Sequence, residues 1–183
     1  MDRQIRGIPA SPGIVVGQVH LLRWEVPDVR HRIVSDEHLA EEIARLHAAI
    51  ERAKERLRLL RARVEAAAGP EEAAIFDVQL SILDDREPTR GVEELIRQNL
   101  GAEKAFDLVM LEWRTRFARH AAPMLRERVG DLTDVQIRVL SLLMGLPDHD
   151  PVDLPAGAGA ILVSHDLTPS LTVQLDREAI SAI

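Results

Sequence analysis

Ser164, His165 and Asp166 stand side by side and carry the side-chain types of a nucleophile, a base and an orienting acid. They close the apolar run "GAILVS", which reads as a strand, and successive strand residues point to opposite faces, so the three cannot form one hydrogen-bonded relay. Thr168 carries a better signal. It precedes Pro169, the pattern of an N-cap followed by a first-turn proline, and this sets a helix N-terminus at the C-terminal end of a strand. Such a turn suits an anion or phosphate, and it equally serves as a plain capped βα connection. No P-loop and no G-x-G-x-x-G pattern occurs. The histidines at 20, 31, 38, 47, 120, 149 and 165 lack the spacing and carboxylate company of a metal site, and "DHDP" at 148–151 reads as a polar linker, so no metal is expected. With no Cys there is no thiolate nucleophile, disulfide or thiolate-bound zinc, and a reducing, cytoplasmic location is expected.

The elements that must position this turn follow from hydrophobic period. The opening "GIPASPGIVVGQVHLL" predicts a tight turn at Ser11–Ile14 and a strand from Val15 to Leu22. Leu39, Ile43, Leu46, Ile50, Ala53, Leu57, Leu60 and Val64 then alternate at spacings of four and three, which predicts one long helix over 36–66, capped by Ser35 and closed by Gly69-Pro70. A second helix is predicted from Pro70 to about Leu83, with Ile75, Phe76, Leu80 and Leu83 inward. Further helical periodicity covers 92–100, 102–120 and 135–144, with a break forced at Pro123. After Gly145 a Pro, Gly and Asp-rich connection leads to strand "AILVS", helix "PSLTVQLD" and strand "AISAI". The expected fold is α+β in two subdomains: an α/β unit built from 1–23 and 147–183, and a helical bundle over 24–146 inserted into it.

Charge narrows the partners. The net charge of −7 argues against nucleic acid, and no apolar run approaches a membrane span. Between Pro70 and Glu112 there are 11 acids against four bases, while the rest of the chain balances 19 against 19. That segment either steers a basic partner to one face or simply keeps helices solvated.

These pieces resemble, in this order, the N-terminal domain of enzyme I of the bacterial phosphoenolpyruvate-dependent sugar phosphotransferase system. "GIPASPGIVVGQVHLL" is similar to the family's opening strand, "EEAAIFDVQLSILDD" and "MLRERVGDLTDVQIRVL" to two of its helices, and "AILVSHDLTPSLTVQLD" to its D-L-T-P-S motif. The resemblance implies phosphotransfer from phosphoenolpyruvate, through a histidine, to the phosphocarrier protein HPr. It implies an HPr surface including Glu71, Gln79, Ile82, Asp84, Asp85, Glu87 and Arg128, with apolar Ile82 at the centre. It places the Thr168 hydroxyl against the phosphorylated histidine, which is not His165 and is expected beyond Ile183. In the full-length family, phosphoenolpyruvate and Mg²⁺ bind a C-terminal barrel that also dimerises. These 183 residues alone are therefore expected to hold no cofactor and to be inactive. Gln79 stands where the family often has His, Ser81 replaces a larger apolar residue, and Arg86 interrupts an acidic run.

Two other classes fit parts of the pattern. One is the swivelling domain of another phosphoenolpyruvate-utilising enzyme, such as a dikinase or the nitrogen-related branch of enzyme I. The docking insertion speaks against the dikinase, and the lack of a sensory domain against the nitrogen branch. The other is a module that binds HPr without phosphorylating it.

Overall fold

A computed structural model of the chain describes residues 12–22, 24–146, 159–164, 167–173, 175 and 178–183. Helices occupy the middle of the chain and strands lie toward its two ends, so the chain is α+β. Strand β1 (Val19–Leu22) pairs in parallel with β2 (Ala160–Ser164), which pairs in parallel with β3 (Ile180–Ala182). In that register Leu22 stands opposite Ser164, 142 residues later in sequence. Ala160 and Leu162 are buried, and Leu22 packs with Leu171 of the single-turn helix α8 (Pro169–Thr172). Val19, Leu21 and Val163 lie exposed on the sheet. β1 is shorter than the expected 15–22. A Cβ on Gly17 would lie 2.6 Å from the Gly159 carbonyl oxygen, a contact only glycine tolerates at this close approach. The turn at Ser11–Ile14 begins outside the described residues, as do His165, Asp166 and "DHDP".

The long helix forms as its spacing dictates. A short 3₁₀ turn at Asp36–His38 leads into α1 (Leu39–Ala67), and Leu46, Ile50, Ala53, Leu57, Leu60 and Val64 are buried along one seam. Ala68 donates to the Val64 carbonyl at 2.8 Å, and Gly69, at φ +116°, turns the chain away. α2 (Pro70–Ala73) and α3 (Ile75–Asp84) replace the single helix expected there, with an offset at Ala74. α4 (Arg86–Arg97) starts six residues before the apolar period does, because Asp85 caps it by accepting the Glu87 N–H at 2.9 Å. α5 (Ala102–Ala118), α6 (Pro123–Glu127) and α7 (Val129–Leu143) follow, broken at Pro123 as its missing N–H requires. Phe76, Val92, Ile96, Met110, Val139 and Leu140 complete one continuous core with α1.

One buried acid ties this bundle together. Glu42 accepts from Arg32 and Arg45, each at 2.6 Å, and from the Ala102 N–H at 3.0 Å, which is the open N-terminus of α5. Arg45 reaches on to Glu103 and to the Leu143 carbonyl, so the segment before α1, α1, α5 and the end of α7 share one network. Among the described residues no helix is long and apolar enough to cross a membrane.

Candidate docking surface and phosphoryl-transfer turn

The acids read from sequence lie around the α2–α3–α4 corner. Glu71 is exposed on α2, and Ile82 is half-buried on α3, packed on its inner side against the bundle core. Asp84 ends α3 and forms an ion pair with Lys54 of α1 at 2.8 Å. Asp85 is engaged as the cap of α4, and Glu87 is exposed, 3.9 Å from Arg116 of α5. Arg128, between α6 and α7, donates to Asp131 at 3.3 Å.

Gln79 does not belong to this surface. It is fully buried, and its Nε2 donates to Asp134 Oδ2 of α7 at 3.0 Å. Asp134, itself buried, accepts the indole N–H of Trp24 at 2.6 Å through Oδ1. A polar side chain on a helix that reads as amphipathic is expected outward, and only a buried carboxylate 55 residues away draws this one in. The bond has a positional consequence: α3 and α7 lie side by side. Arg128 lies six residues before Asp134, at the N-cap of α7.

Thr168 is buried and sits at the start of α8, where its carbonyl accepts the N–H groups of Leu171 and Thr172, each at 3.0 Å. That is the backbone role of a cap residue. The helix it opens is shorter than the expected eight residues. The β-branched pair Thr172-Val173 is a weak continuation for it. Among the described residues no group of three or more His, Asp or Glu side chains is placed to hold a metal ion.

Residues 6–128 match the family described as PEP-utilising enzyme, N-terminal. The chain belongs to that family. Among its relatives, the phosphoenolpyruvate-protein phosphotransferase of Mycoplasma capricolum is 34% identical over 179 residues, covering 97% of this chain and 30% of the relative. That of Geobacillus stearothermophilus is 35% identical over 180 residues, with the same two coverages of 97% and 30%. The chain thus spans about 30% of the length of these curated relatives. Among solved structures, the NMR solution structure of Enzyme I superposes with a TM-score of 0.76 at 28% identity, over 93% of this chain and 68% of that one. The N-terminal domain of Enzyme 1 - Nitrogen gives 0.66 at 27% identity, over 97% and 71%.

In this PEP-utilising family member the electrostatics of the corner are uneven. Burial pushes the Asp131 carboxyl above its ordinary range, and the nearby Asp134 charge adds to this; the Arg128 guanidinium opposes the rise without cancelling it. Glu42 and Glu103 go the other way. Burial would raise both, but the hydrogen bonds they accept from backbone N–H groups and arginines outweigh it and hold them below the usual carboxylate range. The structural acids are locked, while Glu71 and Glu87 are exposed, Glu87 with a long ion pair of 3.9 Å to Arg116.

Proposed function

We propose that this chain is the HPr-docking and phosphoryl-transfer part of a phosphoenolpyruvate-protein phosphotransferase of the sugar uptake system. In this reading, phosphate from phosphoenolpyruvate reaches a histidine of the same polypeptide and passes from that nitrogen to a histidine of HPr. Among the residues described, Thr168 supports the donor histidine from the turn after β2. The corner around α2, α3 and α4, with Arg128 beside it, receives HPr. The division of labour between a helical unit over 24–146 and an α/β unit over 1–23 and 147–183 is part of the same proposal.

The observation that supports the reading is the α2–α3–α4 corner, where half-buried Ile82 is flanked by the exposed carboxylates of Glu71, Asp84 and Glu87. A half-buried apolar centre with charges at the rim is the anatomy of a transient protein interface, and charge of one sign speeds encounter with a partner of the other. The test is NMR shift mapping with HPr at two salt concentrations. Shifts should gather on Glu71, Ile82, Asp84, Glu87 and Arg128, and affinity should fall with salt. Shifts confined to the exposed side of α1 would overturn the assignment. In a companion assay, a polypeptide of these 183 residues mixed with labelled phosphoenolpyruvate, Mg²⁺ and HPr should carry no stable phosphohistidine; labelling of any of its histidines would refute the role given to the turn.

A further inference from the structure

Trp24 stands where the chain leaves β1 for the helical bundle, and it is held from both sides. Its half-buried ring packs on Leu22 and Leu171, a cluster that Leu167 and Leu175 also join. Leu167 precedes Thr168 and Leu171 follows it within α8, so the cluster grips the turn on either side of Thr168. On its other side, the indole N–H donates to Asp134 of α7 at 2.6 Å, and the Arg138 guanidinium lies over the ring, 5.0 Å from its centre. Asp134 in turn holds Gln79, one turn before Ile82 on α3. Trp24 and Asp134 thus link the turn of Thr168 to the helix of the docking corner.

α8 also meets the bundle directly, since it lies against α3, and Val173 just beyond it packs on the bundle core. Apolar contact of that kind is non-directional, so it holds α8 close without fixing its angle. A hydrogen bond weakens steeply as it bends, so the Trp24 N–H does fix an angle. The ring itself is set by charge: a cation is drawn to the negative face of the indole and a carboxylate to its N–H edge, where Arg138 and Asp134 lie. We infer that Trp24 is a positioning residue for phosphoryl transfer, its indole N–H setting the orientation of the Thr168 turn relative to α3. The inference rests on the docking and transfer reading above, and it names what aligns the two ends of that transfer. Such alignment matters because a misplacement of about 1 Å can slow a reaction about a hundredfold.

The experiment is ¹⁵N NMR of the 183-residue chain in a weakly aligning medium, parent against Trp24→Phe, which keeps an aromatic ring at the position and removes the N–H. In the parent, residual dipolar couplings from the amides of β1, β2 and α8 should fit the same alignment frame as those of α1, α3 and α7. In Trp24→Phe the helices should keep their frame, and the strand and α8 amides should depart from it. A role in stability alone would not move this readout, because the couplings report the folded molecules. A common frame in the variant overturns the inference, as do two frames in the parent. Calorimetric titration with HPr runs alongside: the variant should bind within about threefold of the parent, and a loss of about tenfold would instead assign Trp24 to the docking surface and overturn its positioning role. A parent that does not bind HPr removes the docking reading, whereas the couplings test Trp24 without HPr. Should circular dichroism show that Trp24→Phe does not fold, hydrogen exchange in the parent decides, with the Trp24 indole signal told from that of Trp113 by Trp113→Phe. The indole N–H and the Leu171 amide should open with the same free energy, and an indole that exchanges while Leu171 stays protected overturns the inference.

Discussion

Asp134 accepts the Trp24 indole N–H at 2.6 Å across 110 residues of sequence, while its other carboxylate oxygen holds Gln79. Trp24 also packs against the Leu22 and Leu171 cluster of the sheet, so one carboxylate joins the strand side of the molecule to α3 and α7. Asp134→Ala strands the buried Gln79 amide and the part-buried Trp24 indole N–H and should destabilise the chain by about 3 kcal/mol, whereas Gln79→Ala should cost about 1–3 kcal/mol. Urea denaturation of both single variants and the double variant should give less than the sum of the two, because they remove a shared interaction. Strict additivity would show that the bond contributes nothing.

Glu42 gives a pH signature. Its folded pKa lies below the ordinary glutamate value of 4.5, as does that of Glu103, so the folded state binds fewer protons than the unfolded chain there. The stability they contribute is fully present above about 4.5 and is lost as pH falls through the lower folded values. Glu42→Gln should cost about 2 kcal/mol at pH 7 and flatten the acid limb of the stability curve. An unchanged acid limb would contradict the network.

Asp131 titrates with the opposite sign. Its folded pKa lies above the ordinary aspartate value of 3.8, so its contribution is full below that value and is lost as pH rises through the folded pKa. Asp131→Asn removes this loss. The stability of the variant minus that of the parent should therefore become more favourable between pH 3 and pH 7, as read from thermal midpoints across that range. A difference that shrinks with pH would show that the Arg128 pair outweighs burial.

Kinetics separate centre from rim on the docking corner. Ile82→Asp puts a charge at the apolar centre and should mainly raise the HPr dissociation rate, by about tenfold or more. Asp84→Lys combined with Glu87→Lys should mainly slow association, and the difference from the parent should vanish at high salt. Asp85 is unsuitable for this test because its loss also removes the α4 cap, worth about 1 kcal/mol. Stopped-flow rates that change in the reverse pattern would relocate the interface.

The long helix and the parallel strands were legible because each is set by a period in its own residues. Six of the eight seam positions read along α1 are buried, and Leu39 and Ile43 at its open end are half-buried. Glu42 was illegible for the same reason the seam was clear: it is charged, and only Arg32, Arg45 and the start of α5 make its burial favourable. Gln79 failed likewise, through a partner on α7. The break at Ala74 left no sequence mark, since alanine favours the helix it interrupts. The carboxylates of the corner were read correctly as charges, but which of them are already occupied depends on Lys54, a residue of another helix.

The pairing of Leu22 with Ser164 sets an order on folding. A sheet whose neighbouring strands are so far apart in the chain has high contact order, and the entropy of closing that loop is lost before any ladder bond returns it. The helices between the strands shorten the search, since a folded bundle holds its two ends near one another. We expect the bundle to condense first and the sheet to zip last. In native-state hydrogen exchange, amides of β1 and β2 should then open at lower free energy than those at the centre of α1. Equal opening energies would mean that strands and helices fold as one unit. On the expected order, the turn that carries Thr168 is completed only after the helical corner is already in place.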